Sequence, residues 1–269
     1  MPLNLSSSAF GFSQVDGIGR AKQRNIRPNI SERFAADAIG PIAEYINLVG
    51  SGGLESLCSA GWFEQASRQT LINAWMESKS SWTQSDKKCS IIRNISILNE
   101  EKLNSFKIDA HRAALAAGFG PSAALLVSAM GELIGNIEEH SEAVDTGFVA
   151  YLSHRSSFEF VVSDAGIGGL ASLRKCNEYL SLTDEGAALS KLVENGVSRF
   201  GHGRGRGNGF RPIFEKLAEM TGHLRFRSGS YALTLDGRFG DTIERKILQK
   251  PQLSGFLTSV TCYSPQKSD

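Results

Sequence analysis

Apolar residues in the middle of the chain recur at helical spacing and then change to a strand pattern. In SAALLVSAMGELIGNIEEHS they fall at positions 123, 126, 127, 130, 133, 134 and 137. Such spacing places them on one face of a helix of about four turns. The segment before it predicts another helix, with Asn99 as its cap and Gly118 at its end.

Strand patterns follow these two helices. GFVAYLSH and FEFVVSD predict two strands joined by a tight turn near Arg155 and Ser156. HLRFRS, YALTLDG and GFLTSVTCY predict further strands. RPIFEKLAEMTG predicts a short helix, because Pro212 stands near its first position and Gly222 follows its end. Helices followed by a mostly antiparallel sheet indicate an α+β sandwich.

The first part of the chain is patterned differently. Residues 1–30 are polar and predict a loose arm, whereas residues 31–78 carry spaced apolar positions and predict helices. Residues 91–98 predict a short strand. We therefore expect a mostly helical N-terminal extension over residues 1–98, followed by a second domain over residues 99–269.

Composition narrows the classes of function. The chain has 269 residues, 41% of them hydrophobic, and its 29 Lys and Arg nearly balance its 28 Asp and Glu. A dedicated nucleic-acid binder usually shows a clear basic excess. The four cysteines are far apart and form no CxxC pair, so neither a zinc site nor dithiol redox chemistry is favoured. With no signal-peptide pattern and no long apolar run, we expect a cytoplasmic protein without a membrane segment.

The segment ELIGNIEEHS places two polar side chains on one side of a predicted helix. Glu132 and Asn136 are four residues apart, so they project in the same direction. Asn136 offers a neutral oxygen to Mg²⁺, which needs few protein ligands. Glu132 can orient or deprotonate a water molecule. A solvated helix face with ordinary polar contacts is the alternative interpretation.

The segment VVSDAGIGGL places a carboxylate at the end of a predicted strand. Asp164 can accept a hydrogen bond from an exocyclic amine, while Gly166 and Gly168 let a flat ring approach the backbone closely. A turn that only changes the direction of the chain explains the same residues. The segment by itself does not decide between the two interpretations.

The segment GHGRGRGNGF places glycine at every second position beside basic residues. Gly205, Gly207 and Gly209 precede a predicted helix, and alternating glycines favour an anion-binding concavity there. Arg204 and Arg206 can reach phosphate oxygens. The alternative is a disordered Gly/Arg tract that contacts nucleic acid. The sequence contains neither a P-loop nor a dinucleotide-binding pattern.

The order and spacing of the three segments are more specific than any one of them. Asp164 lies 28 residues after Asn136, and GRGNGF follows about 40 residues later. In this order they resemble the N box, G1 box and G2 box of the GHKL ATP-binding fold of gyrases, heat-shock chaperones, histidine kinases and mismatch-repair ATPases. The resemblance covers residues 99–262. It implies a two-layer α/β sandwich with a mixed, mostly antiparallel sheet and helices on one face.

The resemblance also implies a site for ATP and Mg²⁺. By this resemblance Asn136 would ligate Mg²⁺ and Glu132 would act as the general base. Asp164 would bind the adenine amino group, and Gly166 and Gly168 would shape the adenine pocket. The three glycines of the third segment would wrap the phosphates, and the stretch from 170 to 204 would form a lid over ATP.

Within this fold, the pattern ELxxNxxEHS is most similar to compact bacterial anti-sigma-factor serine kinases and stand-alone ATPases. His111 lacks the sequence context of a phosphoacceptor, so a complete sensor kinase is not expected. We expect an Mg-ATP-dependent ATPase or protein serine kinase that regulates a partner protein. A homodimer is compatible with this expectation, and the sequence does not decide the oligomeric state. The alternatives are a non-catalytic ATP-binding regulator and nucleic-acid binding through the Gly/Arg run, which the balanced charge disfavours.

Overall fold

The computed structural model describes residues 9–26, 35–36, 38–49, 73–75, 80–193, 217, 220–237 and 244–264. The α-helices are α1 (Phe12–Gln23), α2 (Ile39–Val49), α3 (Glu100–Ala116), α4 (Ser122–His140), α5 (Gly168–Leu173) and α6 (Glu185–Leu192). The strands are β1 (Ala9–Phe10), β2 (Ala35–Ala36), β3 (Ser81–Thr83), β4 (Cys89–Arg93), β5 (Phe148–His154), β6 (Ser157–Asp164), β7 (Gly222–Asp236) and β8 (Glu244–Tyr263). In these ranges no helix combines the length and the apolar character needed to cross a bilayer.

Six of the strands form one sheet in the order β3–β4–β5–β6–β8–β7, and all neighbours in it are antiparallel. Strands β5 and β6 form the predicted hairpin, with Arg155 in its turn at a φ of 46°. The predicted strands HLRFRS and YALTLDG are one strand, β7, in which the register with β8 shifts between Ser228 and Tyr231. The α+β class is therefore confirmed, and the described sheet is antiparallel rather than mixed.

One face of the sheet, here called the front, is covered by α3, α4 and α6. Alternate residues of β6 point to it, because side chains along a strand alternate between the two faces. Phe158, Phe160 and Val162 are fully buried there. The buried residues of α4 follow the helical period that the sequence predicts: Ala123, Leu126, Ala129, Met130, Leu133, Ile134 and Ile137. Asn99 caps α3 as predicted, since its side chain accepts a 2.9 Å hydrogen bond from the N–H of Lys102.

The opposite face, here called the back, is covered by α1 and α2. Val161 of β6 and Leu257 of β8 pack there with Ile18 of α1 and Ile42 of α2. Helices therefore flank both faces, and the expectation of helices on one face holds only for the helices after residue 99. Strand β6 shows this arrangement, because its neighbouring residues Phe160 and Val161 point to opposite faces and are both fully buried. Burial on both faces is typical of a strand that is covered on both sides.

Several described residues before position 98 are part of this architecture. Strands β3 and β4 extend the sheet, because β4 pairs with β5 along its whole length. Helix α2 begins at a buried carboxylate of the sheet, where Glu159 accepts a 2.8 Å hydrogen bond from the N–H of Ile39. The domain boundary expected after residue 98 stays a prediction, but the described part of the N-terminal segment packs on the sheet. The loose arm predicted for residues 1–30 is wrong for Phe12–Gln23, which form α1 and bury Val15 and Ile18 on the back of the sheet.

Candidate functional site

Helix α4 carries the first predicted pair of site residues to the front of the sheet. Leu133 and Ile137 are fully buried and fix the rotation of the helix about its axis. Asn136 is half-buried and lines a cavity together with His140. Glu132, one turn earlier, is exposed and is not among the residues that line this cavity.

Strand β6 ends at Asp164, which is only 3% exposed. Its Oδ1 atom accepts a 2.6 Å hydrogen bond from the N–H of Gly166. Its Oδ2 atom is buried and has no hydrogen-bond partner among the described residues. Burial raises the pKa of Asp164 to about 6, against the opposing effect of backbone N–H groups of Gly166 and Phe256. A buried acceptor without a donor is costly, so Oδ2 is a place where a ligand donor would be stabilising.

The loop after Asp164 is packed against the end of α4. The N–H of Ile167 donates a 3.0 Å hydrogen bond to the carbonyl oxygen of Ser141. A Cβ atom at Gly166 would overlap that same carbonyl group. Gly168 has a φ of +73°, which side-chain-bearing residues rarely adopt, and a Cβ there would lie 3.1 Å from the carbonyl oxygen of Gly255. Glycine is therefore required at both positions for steric reasons.

Two of the predicted segments meet around one small cavity of about 50 Å³. Asn136 of α4, Asp164 of β6 and Gly168 at the start of α5 all line it. Phe226 and Phe256 form an apolar wall, with their ring centroids 6.2 Å apart in an edge-to-face arrangement.

A second cavity of about 340 Å³ adjoins the first. Gly166 lines this one, and Gly168, Gly169 and Leu192 line both. Its volume lies within the range of small-molecule sites, about 300–1,000 Å³. The described residues thus leave space for a ligand next to the buried carboxylate.

The third predicted segment lies outside the described residues. This applies to the predicted phosphate-binding residues Arg204, Gly205, Arg206, Gly207 and Gly209. Of the lid predicted over residues 170–204, the structure describes the part up to residue 193, which contains most of α5 and all of α6. The phosphate-binding role of the third segment therefore stays a prediction.

Sequence reasoning missed a polar residue on the same face of the sheet as Asp164. Thr258 of β8 is 0% exposed, and its Oγ1 atom has no hydrogen-bond partner among the described residues. It pairs with Val162, the residue two positions before Asp164 on β6. Its signal in the sequence is a threonine at an inward position of GFLTSVTCY, where apolar residues are expected.

Asn136 is the residue that the GHKL resemblance assigns to Mg²⁺, and it lines the small cavity. No group of three or more His, Cys, Asp or Glu side chains in the described ranges could hold a metal on its own. Mg²⁺ commonly takes one or two protein oxygens and completes its shell with water and substrate phosphates. The residues present fit an ion of that kind, bound with a phosphorylated ligand, rather than an all-protein metal site.

Comparison with known proteins does not assign the chain. No model of a known protein family matches the sequence, and a search of curated proteins finds no significant relative. The resemblance to the GHKL fold therefore depends on the three sequence segments, and it stays a prediction.

Proposed function

We propose that the protein binds Mg-ATP in the cavity beside Asp164 and acts as an ATPase or protein serine kinase that regulates a partner protein. The observation that carries the proposal is the convergence of Asn136, Asp164 and Gly168, from two separate segments, on one cavity. The GHKL resemblance assigns these same residues to a single adenine-nucleotide site.

Recognition of the base follows from the unsatisfied acceptor. The exocyclic amine of adenine donates to Oδ2 of Asp164, and the flat ring packs against the aromatic wall of Phe226 and Phe256. The cavity beside Asp164 holds only about 50 Å³, which is less than a purine needs. Leu192, which lines both cavities, is the side chain that has to shift when the base enters.

The polar side of α4 supplies the remaining chemistry of the proposal. Asn136 would hold Mg²⁺ through its side-chain oxygen, and a bound ion would supply neutralisation of phosphate charge. Glu132 lies one turn away on the same side of the helix. From there its carboxylate orients and deprotonates a water molecule or a serine hydroxyl.

A second candidate function is a non-catalytic regulator that holds ATP intact. The observation in its favour is that Glu132 is exposed and does not line the cavity. Single-turnover measurement with labelled ATP separates the two candidates. Conversion of bound ATP to ADP or phosphoprotein supports the enzyme, and persistent intact ATP supports the regulator.

Isothermal titration calorimetry with ATP, ADP and GTP, each with and without Mg²⁺, tests the proposal. We expect saturable heat with ATP and ADP, tighter binding of ATP when Mg²⁺ is present, and much weaker binding of GTP, because guanine carries a carbonyl where adenine carries its amine. Absence of heat with millimolar ATP, or equal affinity for ATP and GTP, contradicts it.

A further inference from the structure

Strand β7 separates the candidate site from the N-terminal helices. Its residues alternate between the two faces of the sheet. Phe226 and Ser228 point to the front, where they line the two cavities. Arg225 and Arg227 point to the back, where they meet acidic side chains of α1 and α2. The same short stretch of strand thus contacts both the site and the N-terminal segment.

The side chain of Arg227 forms hydrogen bonds to both β7 and β8 at the point where the register between these strands shifts. The side chain is 0% exposed. Its Nε atom donates a 3.1 Å hydrogen bond to the carbonyl oxygen of Tyr231 on β7, and its Nη2 atom donates to the carbonyl oxygen of Pro251 on β8. These two carbonyls belong to the end residues of the irregular stretch, which we call the bulge and define as residues 228–231 with residues 251–255.

On the front of the sheet, the bulge holds residues 165–169, here called the glycine loop, whose last two residues begin α5. The Oγ atom of Ser228 accepts a 2.8 Å hydrogen bond from the N–H of Gly169 and donates a 3.2 Å hydrogen bond to the carbonyl oxygen of Gly255. Ser230 donates from its backbone N–H, at 2.8 Å, and from its hydroxyl, at 2.5 Å, to the Glu185 carboxylate at the start of α6. The position of the bulge therefore sets the position of the loop beside Asp164.

The charge of Arg227 is balanced by a residue of the N-terminal segment. Its Nη1 atom is ion-paired with Glu44 of α2, which is also 0% exposed. Glu44 also accepts hydrogen bonds of 2.7 and 2.9 Å from Arg225. Removing one member of a buried ion pair leaves an uncompensated charge, which is strongly unfavourable. Without Glu44, the Arg227 guanidinium would move toward water and release the bulge.

We propose that Glu44 is a positioning residue for the candidate nucleotide site, acting through Arg227 and the bulge on Ser228 and the glycine loop. The inference rests on the proposed function in taking ATP as the ligand. It gives the N-terminal helices a definite role, since α2 completes the site from the back of the sheet. The path runs from Glu44 to Arg227 through their ion pair, from Arg227 to its sequence neighbour Ser228, and from the Ser228 hydroxyl to the N–H of Gly169.

A double-mutant cycle tests whether Glu44 and Ser228 affect ATP binding through the same series of contacts. We expect Glu44→Gln, which removes the charge and keeps the shape, to weaken ATP binding by about 2–30-fold. If Glu44 acts through Ser228, the double variant with Ser228→Ala binds ATP no more weakly than the weaker of the two single variants. The inference would be overturned if the fold-changes of the two single variants multiply in the double variant. It would also be overturned if Glu44→Gln binds ATP with unchanged affinity.

Hydrogen exchange of the Gly169 amide provides a readout that does not depend on ATP. We expect Glu44→Gln to accelerate this exchange at temperatures where the protein is fully folded. The control is Asp109→Asn, which breaks the ion pair of a buried carboxylate with the half-exposed Lys87, 2.8 Å away and distant from β7. Equal acceleration by both variants indicates general destabilisation and overturns the inference. If the wild type fails to bind ATP, the proposed function fails, and the exchange result still decides the role of Glu44.

Arg227→Lys covers the case in which Glu44→Gln does not fold. Lysine keeps a positive charge for Glu44 but lacks the fork that reaches the carbonyl oxygens of Tyr231 and Pro251. We expect faster exchange of the Gly169 amide in this variant and weaker ATP binding. Exchange at the wild-type rate would show that Arg227 is not needed to hold the bulge in position, and the proposed series of contacts from Glu44 to Gly169 would be wrong.

Discussion

The carbonyl oxygen of Ser141 accepts a 3.0 Å hydrogen bond from the N–H of Ile167. This bond joins the end of α4, which carries Asn136, to the glycine loop after Asp164. A second bond supports it, because the N–H of Ala165 donates to the hydroxyl of Thr146 at 2.9 Å. The loop is therefore positioned by one bond to the end of α4 and by one bond to the turn that follows this helix.

Replacing Gly166 by alanine tests this contact. The added methyl group would overlap the Ser141 carbonyl, so we expect a loss of about 1–3 kcal/mol in the free energy of unfolding, together with loss of ATP binding. Gly135→Ala is the control, since a Cβ at this interior position of α4 meets nothing within 4 Å. The control should gain up to about 1 kcal/mol. Urea unfolding of both variants gives the comparison, and equal stabilities would show that the loop is not packed as described.

Asp164 makes the stability of the protein depend on pH. Burial raises its pKa from 3.8 to about 6, so between these values the folded state binds more protons than the unfolded state. The contribution of Asp164 to the free energy of unfolding is therefore fully present below pH 4 and is lost as the pH rises through 6. The loss lowers the free energy of unfolding by up to about 3 kcal/mol. Relative to Asp164→Asn, the wild type should lose stability over this range in urea unfolding. A difference between the two proteins that does not change with pH would contradict the burial of the carboxylate.

The affinity for adenosine should depend on the same ionisation. An ionised carboxylate accepts a hydrogen bond from an amine more strongly than a neutral one does, so we expect binding to strengthen as the pH rises through about 6. The change is at most about tenfold per pH unit. Adenosine is used because it carries no titrating phosphate. Calorimetry should show this dependence in the wild type and lose it in Asp164→Asn, and a dependence that survives in the variant would exclude Asp164 as its source.

Glu132 should affect turnover rather than binding. If it is the general base, Glu132→Gln lowers ATP turnover by about 10²–10⁴-fold, while the ATP dissociation constant changes little, because the side chain lies outside the cavity lining. Glu138→Gln, which changes an exposed carboxylate on the same helix, is the control and should retain turnover. Full activity in Glu132→Gln would assign proton abstraction to another group.

The parts of the fold that sequence predicts best are those with a regular period. Six of the seven apolar positions predicted for α4 are buried and Val127 is partly buried, and Asn136 and Asp164 line one cavity. A helical period and a strand end are local features, and they can be recognised without knowledge of the rest of the chain.

The parts that sequence did not predict depend on contacts between distant segments. Nothing in the local pattern around Glu44 indicates a buried pair with Arg227, which lies 183 residues later. The bulge that lets Ser228 bind the glycine loop depends on the register of β7 against β8. The back layer was missed for a related reason, since an apolar run such as FEFVV does not say which helices cover it.

A crystal structure of the protein with Mg²⁺ and a non-hydrolysable ATP analogue tests the central claim most directly. We predict that the adenine amino group lies within hydrogen-bond distance of Oδ2 of Asp164, with the ring against Phe226 and Phe256 and with the Asn136 side chain facing the metal. An analogue bound elsewhere, or bound with its base away from Asp164, would contradict the account.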